Sequence, residues 1–291
     1  MFVVAGVSGN TGRVVAETLL AQGRPLRVLV RDSAKGATWR ARGAETAIAS
    51  LDDATGLTRA LEGASGAYLL VPPQYGADDL LAVQRRVAEA MARAVKASDI
   101  AHVVLLSSHG AQHAQGTGPV RALHHAEEAI GKAARNITIV RAAYFIENWA
   151  PVLGEAQKSG VLPSFLTPGR AIPMVATADI GRVAAEMLLR PAQGTRIIEL
   201  EGPAPWSPED VAQAVAVALG RDVRVQGVPL DQVVPVFTSS GFSTGSAELM
   251  REMYEAINSG HLAREGGRAV LRLGTLRPGE VLGKLLARTT A

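Results

Sequence analysis

The sequence predicts an α/β fold, a doubly wound parallel sheet followed by a smaller, mainly helical region, on three observations. Short runs of β-branched and aliphatic residues recur through the first half of the chain, helical stretches fill the intervals, and after Arg141 that rhythm breaks. Strands are expected at 2–5, 26–30, 46–49, 67–71, 103–106 and 137–140. The helices expected between them run 11–22, closed by Gly23, 55–61, closed by Gly63, then about 78–98 and about 119–135. Beyond the break, 148–160 reads as a helix ending in glycine, 169–175 as a loop and short strand, 179–189 as a helix and 197–200 as a strand. Ser207 caps a further helix that has Pro208 at its first position and Gly220 past its end. The expected division is 1–150 and 151–291, with the chain returning to the first unit around 176–201.

Composition narrows the chemistry. At 291 residues the chain can bury a large core without staples. Its 30 Lys and Arg against 27 Asp and Glu give a charge of +3 spread along the sequence, so no nucleic-acid partner is indicated. With 0 Cys there are no disulfides, thiolate metal sites or thiol nucleophiles, and no metal site is expected. The apolar start 1–5 is too short for a signal segment and no stretch reads as a membrane span, so a cytoplasmic protein is expected.

Between the first strand and first helix stands Gly6-Val7-Ser8-Gly9-Asn10-Thr11-Gly12. Glycines at a strand–turn–helix junction let the backbone approach a dinucleotide pyrophosphate, which meets the free N–H groups of the helix start. Gly6, Ser8, Gly9, Asn10, Thr11 and Gly12 are therefore candidate cofactor contacts on a Rossmann-type sheet, although the spacing is G-x-x-G-x-x-G; a tight turn without ligand is the plain alternative. At the second strand's end, where an NAD-binding domain carries a carboxylate, the chain reads Val30-Arg31-Asp32-Ser33-Ala34-Lys35. Arg31, with Lys35 one turn on, suits the adenosine 2′-phosphate of NADP(H). The alternative leaves both as a solvated surface pair while Asp32 holds the ribose of NAD.

These segments, together with Leu105-Leu106-Ser107-Ser108, the run Ile139 through Arg141-Ala142-Ala143-Tyr144-Phe145-Ile146-Glu147-Asn148-Trp149, Asp179-Ile180 and residues 250–260, resemble the NmrA-like branch of the atypical short-chain dehydrogenases. That resemblance implies a Rossmann fold, NADP(H) and one of several activities: quinone reduction, flavin-free azo reduction, reduction of plant phenylpropanoid ethers, or cofactor sensing without turnover.

The Tyr-x-x-x-Lys pair of the best-known short-chain dehydrogenases is missing. Tyr68, Tyr75, Tyr144 and Tyr254 are followed four residues later by Pro72, Asp79, Asn148 and Asn258. Some relatives keep only a lysine on the helix after the fifth strand; His124 falls nearest that place here, either as a proton donor beside the nicotinamide ribose or as a surface histidine next to an acidic pair. His109, at the carboxyl end of the fifth strand with Ser107 and Ser108, is a second candidate. By the same rule Val71, Pro72, Pro73 and Tyr75 should border the nicotinamide side, and Tyr144 and Phe145 should lie near the ring unless they only cover the sheet. Asp52 faces the adenine or caps a helix. Asn148 and Trp149 line the substrate side or fix the junction.

Two readings follow. One is an NADPH-dependent reductase delivering hydride to an activated small acceptor such as a quinone or azo compound, with His109, His124, Tyr144 or water supplying protons. The other is a non-catalytic NADP(H) sensor with a protein partner. An isomerase or dehydratase using the cofactor structurally stands behind both. Helix 246–258 caps the substrate cleft or joins a homodimer.

Overall fold

The computed structural model describes the backbone of residues 1–289, so the last two residues of the expected 151–291 region lie outside it. The first half alternates strand and helix: β1 (Phe2–Val4), α1 (Asn10–Ala21), β2 (Leu26–Val30), α2 (Ser33–Arg40), β3 (Glu45–Ile48), α3 (Ala54–Leu61), β4 (Gly66–Leu70), α4 (Leu80–Ser98), β5 (Val103–Ser108), α5 (Val120–Ala133) and β6 (Ile137–Ala142). Then come β7 (Tyr144–Phe145), α6 (Ala150–Ser159), β8 (Val161–Ser164), β9 (Ile172–Val175), α7 (Thr177–Leu189) and β10 (Thr195–Glu201). The chain ends with β11 (Pro205–Trp206), α8 (Pro208–Leu219), β12 (Arg224–Gly227), α9 (Val233–Ser239), α10 (Thr244–Ser259), β13 (Val270–Leu273) and α11 (Pro278–Thr289).

Eight strands form one parallel sheet in the order β13-β10-β6-β5-β4-β1-β2-β3. Alternation within the strands builds two cores. Val4, Val28, Tyr68, Val104 and Val140 face one way, against α1 and α7, while Val3, Leu29, Leu69, Leu105 and Ile139 face the other, against α3, α4 and α5. A parallel sheet covered on both faces needs such strands, apolar at every position, because neither side meets water. A third core, with Ile146, Trp149, Leu162, Met174, Val211 and Leu282, holds α6, α8 and α11 around the small pairings β11-β9-β7 and β12-β8.

Several elements depart from expectation for visible reasons. Helix α2 is absent from the sequence reading because its only large apolar residue, Trp39, gives no stripe, although Asp32 caps it by accepting the Ala34 N–H at 2.8 Å. Strands β8, β12 and β13 were likewise unassigned: β8 contains Pro163, and β13 keeps Val270, Leu271 and Leu273 exposed at the sheet edge, so neither carries the pattern of an interior strand.

The segment between α10 and α11 crosses the carboxyl ends of the sheet and is tied down by buried carboxylates. Glu199 accepts the backbone N–H groups of Glu265 and, at 3.1 Å, of Gly266, and Asp179 accepts those of Thr275 and Leu276, both at 3.0 Å. Among the described residues, no helix is long and apolar enough to cross a membrane.

Candidate cofactor and substrate site

The chain leaves β1 through Gly6, whose φ of +67° is a left-handed conformation and whose missing Cβ would stand 2.6 Å from the Leu70 side chain. At Gly12 a Cβ would lie 2.4 Å from the carbonyl oxygens of both Ala5 and Gly6, so only glycine lets α1 start this close to the strand. The helix is capped by Gly9, which has no side chain to satisfy the first-turn N–H groups, and Ser8, Gly9 and Asn10 are exposed. Free donors at the positive end of a helix, reachable past residues without bulk, suit the pyrophosphate of a dinucleotide. Thr11 is buried, its hydroxyl accepting the Tyr68 O–H at 2.9 Å, so its side chain packs rather than faces the loop.

At the end of β2, Arg31 and Lys35 are exposed, and neither makes an ion pair or side-chain hydrogen bond among the described residues. Asp32, between them, has one carboxylate oxygen committed to the α2 cap. Asp52 is exposed; the cap of α3 belongs to its neighbour Asp53, which accepts the Thr55 and Gly56 N–H groups at 3.1 Å.

The ends of β4, β5 and β6 supply the other wall. Val71 is buried, Pro72 half-buried and Pro73 exposed at the start of the loop that carries Tyr75. Ser107 donates to Glu127 at 2.5 Å, and Glu127 also takes a two-pronged contact from Arg141 at 2.9 and 2.7 Å; Arg141 reaches Glu265 at 2.6 Å as well. Arg141 and Glu127 are buried, so the Ser107 hydroxyl belongs to an internal charge network rather than an open cleft. Ser108 is half-buried, its hydroxyl donating to the His109 carbonyl at 2.9 Å.

His109 is buried too. Its backbone N–H donates to the Ala142 carbonyl at 2.9 Å, and its Nε2 has no partner among the described residues. Burial, with Arg264 and Arg141 nearby, pushes its pKa down to about 4, so the ring is neutral at pH 7. His124 is half-buried with Nδ1 2.8 Å from the Ala111 carbonyl. A carbonyl can only accept, so Nδ1 carries the proton and Nε2 is left to exchange one. The acidic pair beside it is split: Glu128 is exposed, whereas Glu127 is buried.

Tyr144 meets Tyr254 of α10 and Asn148 in hydrogen bonds, and burial raises its pKa well above that of a free phenol. Phe145 packs against the core on the α1 and α7 side, and Asn148 is exposed. Trp149 is interior, edge-on to Tyr144 at 6.5 Å and part of the third core, which puts its ring at the junction rather than on an open wall. Sequence reasoning missed Tyr254 and the aromatic residues Phe165, Phe237 and Phe242 around it. At positions 165, 237, 242 and 254 they are too far apart to form a motif, so no spacing in the sequence ties them together. Glu127, Arg141 and Glu265 were missed as a network because Arg141 and Glu265 lie 124 positions apart in the chain.

The sequence of the chain has matches over nearly its full length. It is 27% identical over 263 residues to an NAD(P)H azoreductase of Xenophilus azovorans, covering 90% of this chain and 89% of that one. It is 24% identical over 266 residues to quinone oxidoreductase 2 of Escherichia coli (strain K12), with 90% of each chain covered. The fold superposes on the crystal structure of an NADPH-dependent quinone oxidoreductase from Escherichia coli in complex with NADPH, with a TM-score of 0.82 at 21% identity over 98% of this chain and 100% of the other. Residues 1–265 match the NmrA-like family, and the chain belongs to that family.

Proposed function

We propose that the protein is an NADPH-dependent reductase that transfers hydride to an activated small organic acceptor such as a quinone or azo compound. The observation that carries this reading is the pairing of a glycine-lined helix start that lacks a side-chain cap with an Arg31, at the adjacent strand end, that has no ion pair among the described residues. Pyrophosphate and 2′-phosphate are the two features such a pair fits. The names of the two relatives, an azoreductase and a quinone oxidoreductase, support the same acceptor class.

The cofactor, when bound, supplies a hydride from its nicotinamide ring. The residues of this chain bind, orient and exclude water. Gly6, Gly9, Asn10 and Gly12 offer the phosphate cradle, Arg31 and Lys35 the 2′-phosphate contact, and Val71, Pro72 and Pro73 a rigid edge for the nicotinamide side. A quinone that takes a hydride still needs one proton to become a hydroquinone. His124 Nε2 is the candidate relay for it, and Tyr144, its phenol held protonated by burial and tied to Tyr254 and Asn148, borders the acceptor. Electron-poor acceptors need little acid assistance, which fits a chain without Tyr-x-x-x-Lys.

The sensor reading keeps one observation in its favour: Ser107 is tied to Glu127 and His109 is buried, so few polar groups remain at the β5 end. Titration with NADPH and NADH, followed by NADPH oxidation with a panel of quinones and azo dyes, separates the two. Tight NADPH binding with acceptor-dependent turnover is expected. Binding without turnover would favour the sensor, and no binding would overturn both.

A further inference from the structure

We infer that Tyr75, Phe242, Phe237, Phe165 and Tyr254 form a subsite for the second ring of a planar, fused-ring acceptor, a specificity that rests on the reductase reading above. Aromatic residues make up only 4% of the chain. Here they run in an unbroken series. Tyr75 stacks on Phe242 at 4.5 Å and 14°, Phe242 meets Phe237 edge-on at 4.8 Å, and Phe165 lies 6.1 Å from Phe237 and 5.3 Å from Tyr254. Tyr254 continues the series to Tyr144 through their phenols.

Each of these rings is part-buried, with one side left accessible, in contrast to Tyr68 and Trp149, which are enclosed. Aromatic side chains gathered only for stability go inside, and a contiguous half-open apolar surface marks a place where something else completes the packing. The location identifies what. Tyr75 follows β4 and Tyr144 follows β6, so the series crosses above the end of β5 between them, the carboxyl edge where open α/β sheets bind ligands.

The wall is also held in shape before any ligand arrives. Ser243 donates its N–H to the Tyr75 carbonyl at 3.0 Å and its hydroxyl to the Ala77 carbonyl at 2.7 Å, while it caps α10 by accepting the Ser246 N–H at 3.1 Å. The stacked Tyr75–Phe242 pair is thereby fixed by bonds between the β4–α4 and α9–α10 loops, which lowers the ordering cost of a stacked ligand. Burial raises the pKa of both Tyr75 and Tyr254, so this surface is neutral and electron-rich. Offset or edge-to-face packing on it favours a flat, uncharged, electron-poor ring system. A single-ring acceptor held at the nicotinamide would leave the wall largely uncovered, and a fused second ring would cover it.

The test compares kcat/KM for 2-methyl-1,4-naphthoquinone and 1,4-benzoquinone in wild type, Phe242→Leu and Phe242→Ala, with NADPH affinity measured on each. Leucine keeps the bulk without the ring and guards against a variant that fails to fold. The expected result is a fall of about two- to tenfold for the naphthoquinone in both variants, the size of a lost aromatic pair, with benzoquinone and NADPH within about twofold of wild type. An equal effect on both quinones would overturn the proposal. If wild type binds NADPH but reduces neither quinone, the reductase reading fails on its own. The wall is then read by equilibrium dialysis of the same two quinones, which such a protein leaves unreduced. Selective loss of naphthoquinone binding in Phe242→Leu sustains the subsite. Unchanged naphthoquinone binding overturns it, as does a dimer that Phe242→Ala dissociates, which would assign the wall to a second copy of the chain.

Discussion

Arg31 and Asp32 are adjacent at the end of β2, and among the described residues only Arg31 has every polar side-chain atom uncommitted. The Asp32 carboxylate holds the start of α2, while the Arg31 guanidinium stands in solvent with its donors unspent. NADPH and NADH differ only in the 2′-phosphate, so Arg31→Ala should weaken NADPH by about 10- to 100-fold, the worth of a charge-assisted hydrogen bond or two, and leave NADH within about twofold. Fluorescence titration of both cofactors checks this, and equal weakening would move the phosphate contact elsewhere. His124 offers a second test at the same scale. Its Nδ1 is held by the Ala111 carbonyl, so a His124→Ala variant should lose turnover by about tenfold or more while its NADPH affinity is unchanged. Normal turnover would leave the histidine a role in fixing the β5–α5 loop alone.

At the scale of elements, what the sequence reveals depends on how local the determinant is. The glycine turn of β1 and α1 was legible because every constraint on it lies within seven consecutive residues, and the structure adds that Gly12 cannot be anything else. Strands of the main sheet were legible because both faces are buried. The Ser107–Glu127–Arg141–Glu265 network was not, since it joins β5, α5, β6 and the segment after α10, and no periodicity reports a contact between distant charges. It accounts for the burial of the Ser107 hydroxyl against Glu127. Its energetic signature is testable. Arg141→Met leaves Glu127 buried without a countercharge and should cost about 3–5 kcal/mol of stability, whereas Arg141→Met with Glu127→Gln should recover much of it. Urea unfolding of the two variants decides; a double variant no better than the single would mean the strap over the sheet edge, not the buried charge, sets the cost.

Across the whole molecule, two buried histidines tie stability to pH. His102, whose Nε2 lies 3.1 Å from the Thr138 hydroxyl, has its pKa lowered to about 4 by burial and Arg196, and His109 has its pKa lowered to about 4 by burial, Arg264 and Arg141. In the unfolded chain both titrate near 6.5. Between those values the unfolded state binds a proton that the native state refuses, so stability rises with pH and is lost as pH falls from about 6.5 towards about 4. The loss between pH 7 and pH 5 should be on the order of 1–2 kcal/mol for each histidine. Glu201 works the other way, because burial raises its pKa and its protonation in acid relieves a native cost, though only in the carboxylate range. Urea midpoints of the wild type should therefore fall between pH 7 and pH 5, and His109→Asn should fall less. The titration reaches function as well: an imidazolium at His109 would form against Arg264 and Arg141, the residues beside the strap that Glu199 and Arg141 hold across the site. Turnover should then fall reversibly with acid ahead of global unfolding in wild type and less so in His109→Asn. An acid limb of activity that is the same in both would place the sensitive group elsewhere.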